Sequence, residues 1–93
     1  MAELLSAQHI LVAQEYEAKD ILRKLDQKND FEKLAQDFSI CSSSKNGGYL
    51  GQFPRGKMVP AFEKALISLK PGEYSGIVRT QFGYHIIKRI PTT

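Results

Sequence analysis

Two histidines, His9 and His85, and one cysteine, Cys41, are the side chains of this sequence best suited to proton or thiol chemistry. Each histidine opens an apolar run, His9-Ile10-Leu11-Val12 and His85-Ile86-Ile87-Lys88, so paired strands can set both imidazoles on one sheet face. A neutral imidazole carries one donor and one acceptor, and two buried rings can satisfy each other and fix both tautomers. The same pairing serves a core that must satisfy its polar groups or a site that moves a proton; the residues leave both open. Cys41 sits in the polar stretch Ser39–Asn46 and reads either as a reactive thiol or as a small inert hydrophobe. No protease signature or oxyanion hole accompanies it. With one thiol and no local Cys/His spacing, no metal site is expected. Gly47-Gly48-Tyr49-Leu50-Gly51 is too apolar for a phosphate loop and lacks its Lys-Ser/Thr, so no cofactor is expected either.

The stretch from Gly47 to Phe62 carries Leu50, Phe53, Met58 and Phe62 between the turn-forming Gly48, Gly51 and Gly56. That is too much bulk for a solvated loop, and it reads as one wall of a small hydrophobic pocket. Leu50, Met58, Phe62 and Phe82 are the candidate ligand-binding side chains. Phe62 also suits ordinary core packing, whereas Met58 before Pro60 and Phe82 beside Gly83 sit in loops, where an adaptable pocket is better lined.

The elements that must position these groups follow from periodicity. Ser6–Val12 reads as a buried strand, with His9 and Leu11 on one face and Ile10 and Val12 on the other. Ala18, Ile21, Leu22 and Leu25 form the i, i+3, i+4, i+7 stripe of a helix over Glu15–Lys28, with Glu15/Lys19 and Asp20/Lys24 as acid-before-base pairs. Asn29 can close this helix and Asp30 can cap the next, whose stripe is Phe31, Leu34, Ala35 and Phe38. Pro60 suits a first helical turn, and Phe62, Ala65, Leu66 and Leu69 continue it. Lys70–Glu73 is a type II turn signal. Tyr74–Arg79 reads as a strand, Thr80–Tyr84 as a turn centred near Gly83, and His85–Ile90 as the last strand. The class is α+β with a small antiparallel sheet.

Composition bounds the rest. Ninety-three residues, 42% hydrophobic and 25% charged, suit a single domain over 1–93 with one core. The opening Met1-Ala2-Glu3-Leu4-Leu5-Ser6 lacks a leader's basic region, no run is long enough for a membrane span, and the single cysteine suits a reducing, cytoplasmic home. Thirteen basic residues are scattered among ten acidic ones, for a net charge of +3. Lys45, Arg55, Lys57, Lys88 and Arg89 are the cations a nucleic-acid reading would use, but they form no dense basic stripe.

Four blocks together carry a resemblance: His9-Ile-Leu-Val, Ser39-Ile-Cys-Ser-Ser, Gly47-Gly-Tyr-Leu-Gly-Gln-Phe-Pro-Arg-Gly-Lys-Met-Val-Pro-Ala-Phe-Glu63, and Thr80-Gln-Phe-Gly-Tyr-His-Ile-Ile-Lys88. In order and spacing the sequence resembles the parvulin peptidyl-prolyl cis-trans isomerases, above all the small stand-alone bacterial type. The resemblance implies a four-stranded antiparallel sheet surrounded by about four helices, β-α3-β-α-β2, with a short helix in the Cys41 loop. It implies a cup of Met58, Phe62 and Phe82, with Leu50 beside them, for the substrate's proline ring. It also implies a polar cluster of His9, Cys41, Thr80 and His85 under the isomerising bond. The expected protein is a monomeric rotamase that assists folding of proline-containing and unfolded segments. Its runner-up is a chaperone that holds such segments without turning them over.

Two departures shape that expectation. Phosphate-directed parvulins carry arginines straight after the first strand, where this sequence has Ala13-Gln14-Glu15 and no arginine before Arg23. A phosphate would be repelled there, so no phospho-Ser/Thr specificity is expected. Tyr49 stands where many relatives have aspartate, at a position outside the matched site residues.

Overall fold

Strict alternation of side chains between two faces makes the first strand, β1 (Leu4–Val12), the partition of the molecule. Its Leu5 and Ala7, with Ile87, pack against Phe53, Phe62 and Leu66 on one side of the sheet. Its Ile10 and Val12, with Ile86, pack against Ala18, Ile21, Leu25, Phe31, Leu34 and Ala35 on the other. The computed structural model describes residues 4–92; Met1–Glu3, part of the opening read above as lacking a leader, and Thr93 lie outside the described residues.

The element order is β1, α1 (Glu15–Asp26), α2 (Phe31–Phe38), a 3₁₀ turn (Ser42–Asn46), β2 (Tyr49–Pro54), α3 (Pro60–Ile67), β3 (Val78–Thr80) and β4 (Gly83–Arg89). The four strands form one antiparallel sheet in the order β2-β1-β4-β3. Helices α1 and α2 cover one face and α3 the other. This is the expected α+β arrangement, with three α-helices and the 3₁₀ turn in the Cys41 loop as its fourth helical piece.

Local chemistry explains the boundaries. The Gln14 N–H donates to the Glu17 carboxylate at the start of α1 (3.1 Å), and Asp30 accepts from the Lys33 N–H at the start of α2 (3.3 Å). The expected helix to Lys28 stops at Asp26, because Lys28 turns into the left-handed region (φ 67°). The Asn29 amide then caps the Lys24 carbonyl at 2.9 Å. Pro60 opens α3, which ends at Ile67; Leu69 lies beyond the helix but still packs on its core. The turn at 70–73 closes by Glu73 N–H to Lys70 O at 3.0 Å, with Gly72 at φ 92°.

The expected strand Tyr74–Arg79 is corrected to Val78–Thr80, with Tyr74 bridging Lys88 as an isolated pair. The reason is Ser75: its N–H donates to the Ile87 carbonyl at 2.7 Å, but its hydroxyl takes the return bond from the Ile87 N–H at 3.0 Å, so the reciprocal backbone pairing of a strand is lost there. The expected turn over Thr80–Tyr84 is likewise corrected. It is the two-residue link Gln81-Phe82; Thr80 belongs to β3 and Gly83 begins β4.

Gly48 holds the 3₁₀ turn to β1: its carbonyl accepts the His9 N–H and its own N–H donates to Ser43 O, both at 2.9 Å. At φ 84° a side chain there is strained, and a Cβ would lie 2.3 Å from the His9 carbonyl oxygen. Gly51, at φ 79°, faces open space. Urea unfolding should therefore show Gly48→Ala losing at least about 2 kcal/mol and Gly51→Ala losing about 1 kcal/mol.

Candidate functional site

The register of β1 on β4 pairs His9 with Ile87 and Leu11 with His85, so the two histidines are diagonal neighbours on the α3 side of the sheet. Both are buried, 5% and 4% exposed. Their Nδ1 atoms stand 3.1 Å apart, and the rings are near-parallel with centroids 5.2 Å apart. A hydrogen bond between two ring nitrogens uses one N–H and one lone pair, so one ring donates and the other accepts. Two protonated rings would oppose N–H to N–H. The Nε2 of His85 lies 2.7 Å from the Thr80 hydroxyl oxygen, which also accepts the Phe82 N–H at 3.1 Å. The Nε2 of His9 is buried with no hydrogen-bond partner among the described groups, and it closes the chain.

Burial, and then the neighbouring His85, lower the pKa of His9 to about 4. Burial lowers that of His85 as well. Both rings are neutral at physiological pH. The His9 and His85 nitrogens bond to each other and to Thr80, and the last one is unpartnered, so neither imidazole activates the Cys41 thiol by a hydrogen bond. Among the described residues, no three His, Cys, Asp or Glu side chains gather as a metal site.

Above this floor opens a cavity of about 400 Å³. Leu50, Met58, Phe62 and Phe82 line it, and His9, His85 and Cys41 lie at its base. Phe62, at the start of α3, meets both imidazoles edge to face at 5.6 and 5.5 Å between centroids. Phe82 projects from the β3–β4 link and is 58% exposed, forming the outer wall. The structure thus gathers all eight candidate residues from five segments, with Thr80 behind His85 rather than in the cavity wall. Leu11, Lys57 and Val59 also line it and were missed. Leu11 shares the strand face of His9, so period-two reading could have found it. Lys57 and Val59 flank Met58 in an irregular loop that carries no periodic signal.

Comparison with known proteins places these features in context. Residues 8–91 match the rotamase family model, described as the PPIC-type PPIase domain. The foldase protein PrsA of Caldanaerobacter subterraneus is 55% identical over 87 residues, which is 92% of this chain but 28% of that protein. The chain therefore spans under a third of that curated relative. The solution structure of NmPin, the parvulin of Nitrosopumilus maritimus, is 43% identical with TM-score 0.85, covering 98% of this chain and 99% of that one. The crystal structure of the peptidylprolyl isomerase PrsA from Bacillus anthracis is 44% identical with TM-score 0.95, covering 99% of this chain and 43% of that one.

The neutral histidines give the fold a pH signature. Unfolded imidazoles take up protons near pH 6.5, where the folded rings refuse them, so the unfolded state binds more protons below that pH. Stability is whole above about pH 6.5 and falls as the pH drops from there toward about 4. Urea unfolding across that window should show the decline, and His9→Asn should remove up to about 1.4 kcal/mol per pH unit of its slope.

Proposed function

The chain belongs to the PPIC-type peptidyl-prolyl isomerase family, the parvulins, and on that premise we propose that its cup rotates Xaa–Pro bonds in extended or unfolded protein segments without needing a phosphate beside the proline. The observation that carries this is an apolar cup floored by two neutral, mutually bonded histidines.

The reaction makes and breaks no covalent bond. Its barrier of about 18–20 kcal/mol comes from amide resonance, and the spontaneous flip takes roughly 10–100 s. A turnover of about 10–1,000 per second needs that barrier lowered by only roughly 3–7 kcal/mol. The planar imide is the more polar state, because resonance separates charge between oxygen and nitrogen; twisting removes that separation. Leu50, Met58, Phe62 and Phe82 replace water around the bond with hydrocarbon and so favour the twisted form. Thr80 ties the backbone of Phe82 to His85, so the outer wall and the floor hold their geometry together. His9, His85 and Thr80 then act by orienting, and Cys41 stands at the base without a nucleophile's role.

The lack of a phosphate requirement is supported by the β1–α1 link. Ala13-Gln14 leads into a first turn bearing Glu15 and Glu17, which repels an anion where phosphate-directed relatives clamp one. The foldase name of the PrsA relative supports unfolded proteins as substrates. The free Cys41 supports a reducing, cytoplasmic setting, and we take the active form to be a monomer.

Turnover of Xaa–Pro tetrapeptides, followed by coupled proteolysis or NMR exchange, tests the proposal. Phe82→Ala, at an exposed wall, should fold normally and lose at least about tenfold in kcat/KM, since about 1.4 kcal/mol is tenfold. Cys41→Ser should keep most of its rate; complete loss with the fold intact would restore a covalent role. A folded protein that binds these peptides without accelerating them would establish the holding chaperone instead. In a separate series, phosphorylating the residue before proline should not raise kcat/KM.

A further inference from the structure

The end of β1 separates two cavities of similar size. Leu11 faces the proline cup, while Val12, next in the chain, lines a second cavity of about 390 Å³ on the opposite face, with Tyr16, Ile21 and Phe38. Beta-strand β2 ends its pairing at Gln8↔Tyr49, so the edge of β1 beyond it is free for another segment. Residues Ser39–Cys41 cross that edge: the Ile40 N–H donates to Leu11 O at 2.8 Å, and the Leu11 N–H donates to the Ser39 hydroxyl at 3.1 Å. Cys41 therefore lies at the base of the cup, Ile40 on the ridge, and Phe38 in the second cavity.

This path is apolar and open. Of the eight large apolar side chains exposed among the described residues, Phe82 walls the cup, and Phe38, Ile40 and Tyr16 line the ridge and second cavity at 43, 62 and 72% exposure. The cavity's two carboxylates are already engaged within the first helix. Glu17 accepts the Gln14 N–H, and Asp20 pairs with Arg23 and, at 3.0 Å, with Lys24. The hydrocarbon and aromatic surface left for a ligand is that of Val12, Tyr16, Ile21 and Phe38, bordered by those carboxylates and by Lys24, whose Nζ lies 4.6 Å from the Phe38 ring centroid. Three partly exposed side chains offer roughly 500 Å² at most, below the roughly 800 Å² per partner of a stable dimer, so a second copy is a poor occupant.

We infer that this second cavity holds a large apolar side chain of the same unfolded segment whose proline occupies the cup, reached across the Ile40 ridge. The inference rests on the cup being the proline site. From Cys41 to Phe38 is three residues, or about 10 Å of extended chain, which places the anchored side chain three or four residues from the proline. The contact lies away from the rotating bond and is the same in ground and transition states, so it lowers KM and leaves kcat alone.

Twelve-residue peptides with one proline, and phenylalanine or alanine three or four positions to either side, test this by NMR exchange kinetics. At one of those placements the phenylalanine peptide should show a KM about tenfold below its alanine counterpart, with kcat equal, as burial of one aromatic side chain allows. The double variant Tyr16→Ser/Ile40→Ser, altered only at exposed positions, should erase that difference. Equal KM values at every placement, a difference that survives in the double variant, or concentration-dependent dimerisation through Tyr16 would each overturn the inference. Failure to turn over a tetrapeptide would instead overturn the proline cup, which this comparison of long peptides does not probe.

Discussion

The hydrogen bond between His9 and His85 is the constraint around which the rest of the structure is arranged. An imidazole buried beside phenylalanine loses its hydrogen bonds to water, and a second neutral imidazole can replace one of them only from a fixed position. That position requires β1 and β4 to pair in one register, because a slip of one residue would send either ring to the opposite face. The same register places Ile10, Val12 and Ile86 under α1 and α2, and Leu5, Ala7 and Ile87 under α3. Polar satisfaction and hydrophobic burial thus select the same strand alignment.

The floor and the cup are correspondingly inseparable. Phe62 contributes one face to the core and its ring to the two histidines, so α3 cannot shift without disturbing both. Phe82, by contrast, is held by its backbone through Thr80 and presents its ring to solvent. One wall is packed and the other is exposed, a division that fits the proposed grip on a proline ring. Prolyl rotation, the proposed reaction, asks for modest barrier lowering, which an enclosure that excludes water can supply without forming a covalent bond.

Much of the fold was legible because its signals were local. The stripes of α1, α2 and α3, the Asp30 cap, Pro60 and the turn at 70–73 depend on residues within a few positions of one another. The errors fell where a distant contact decides the outcome. Tyr74–Arg79 has strand-like composition, but the Ser75 hydroxyl takes the Ile87 N–H, so regular pairing begins only at Val78. Gly83 resembles a turn centre, yet it begins β4 by pairing with Thr80, and a Cβ there would lie 2.6 Å from the Val12 carbonyl oxygen.

By itself the sequence determined the residue types and the order of the elements: two histidines on apolar strands, loop-borne methionine and phenylalanine, and helices written in their own periodicity. Motif resemblance extended this to the family and to eight candidate residues, which the structure gathers around one cavity. Only the tertiary structure decided which nitrogens meet, that Thr80 joins Phe82 to His85, and that Leu11, Lys57 and Val59 share the cavity. Periodicity records which face a side chain occupies relative to its own backbone. A site assembled from five segments depends on how those segments pack, and close contact at a few ångströms is a property of the folded whole.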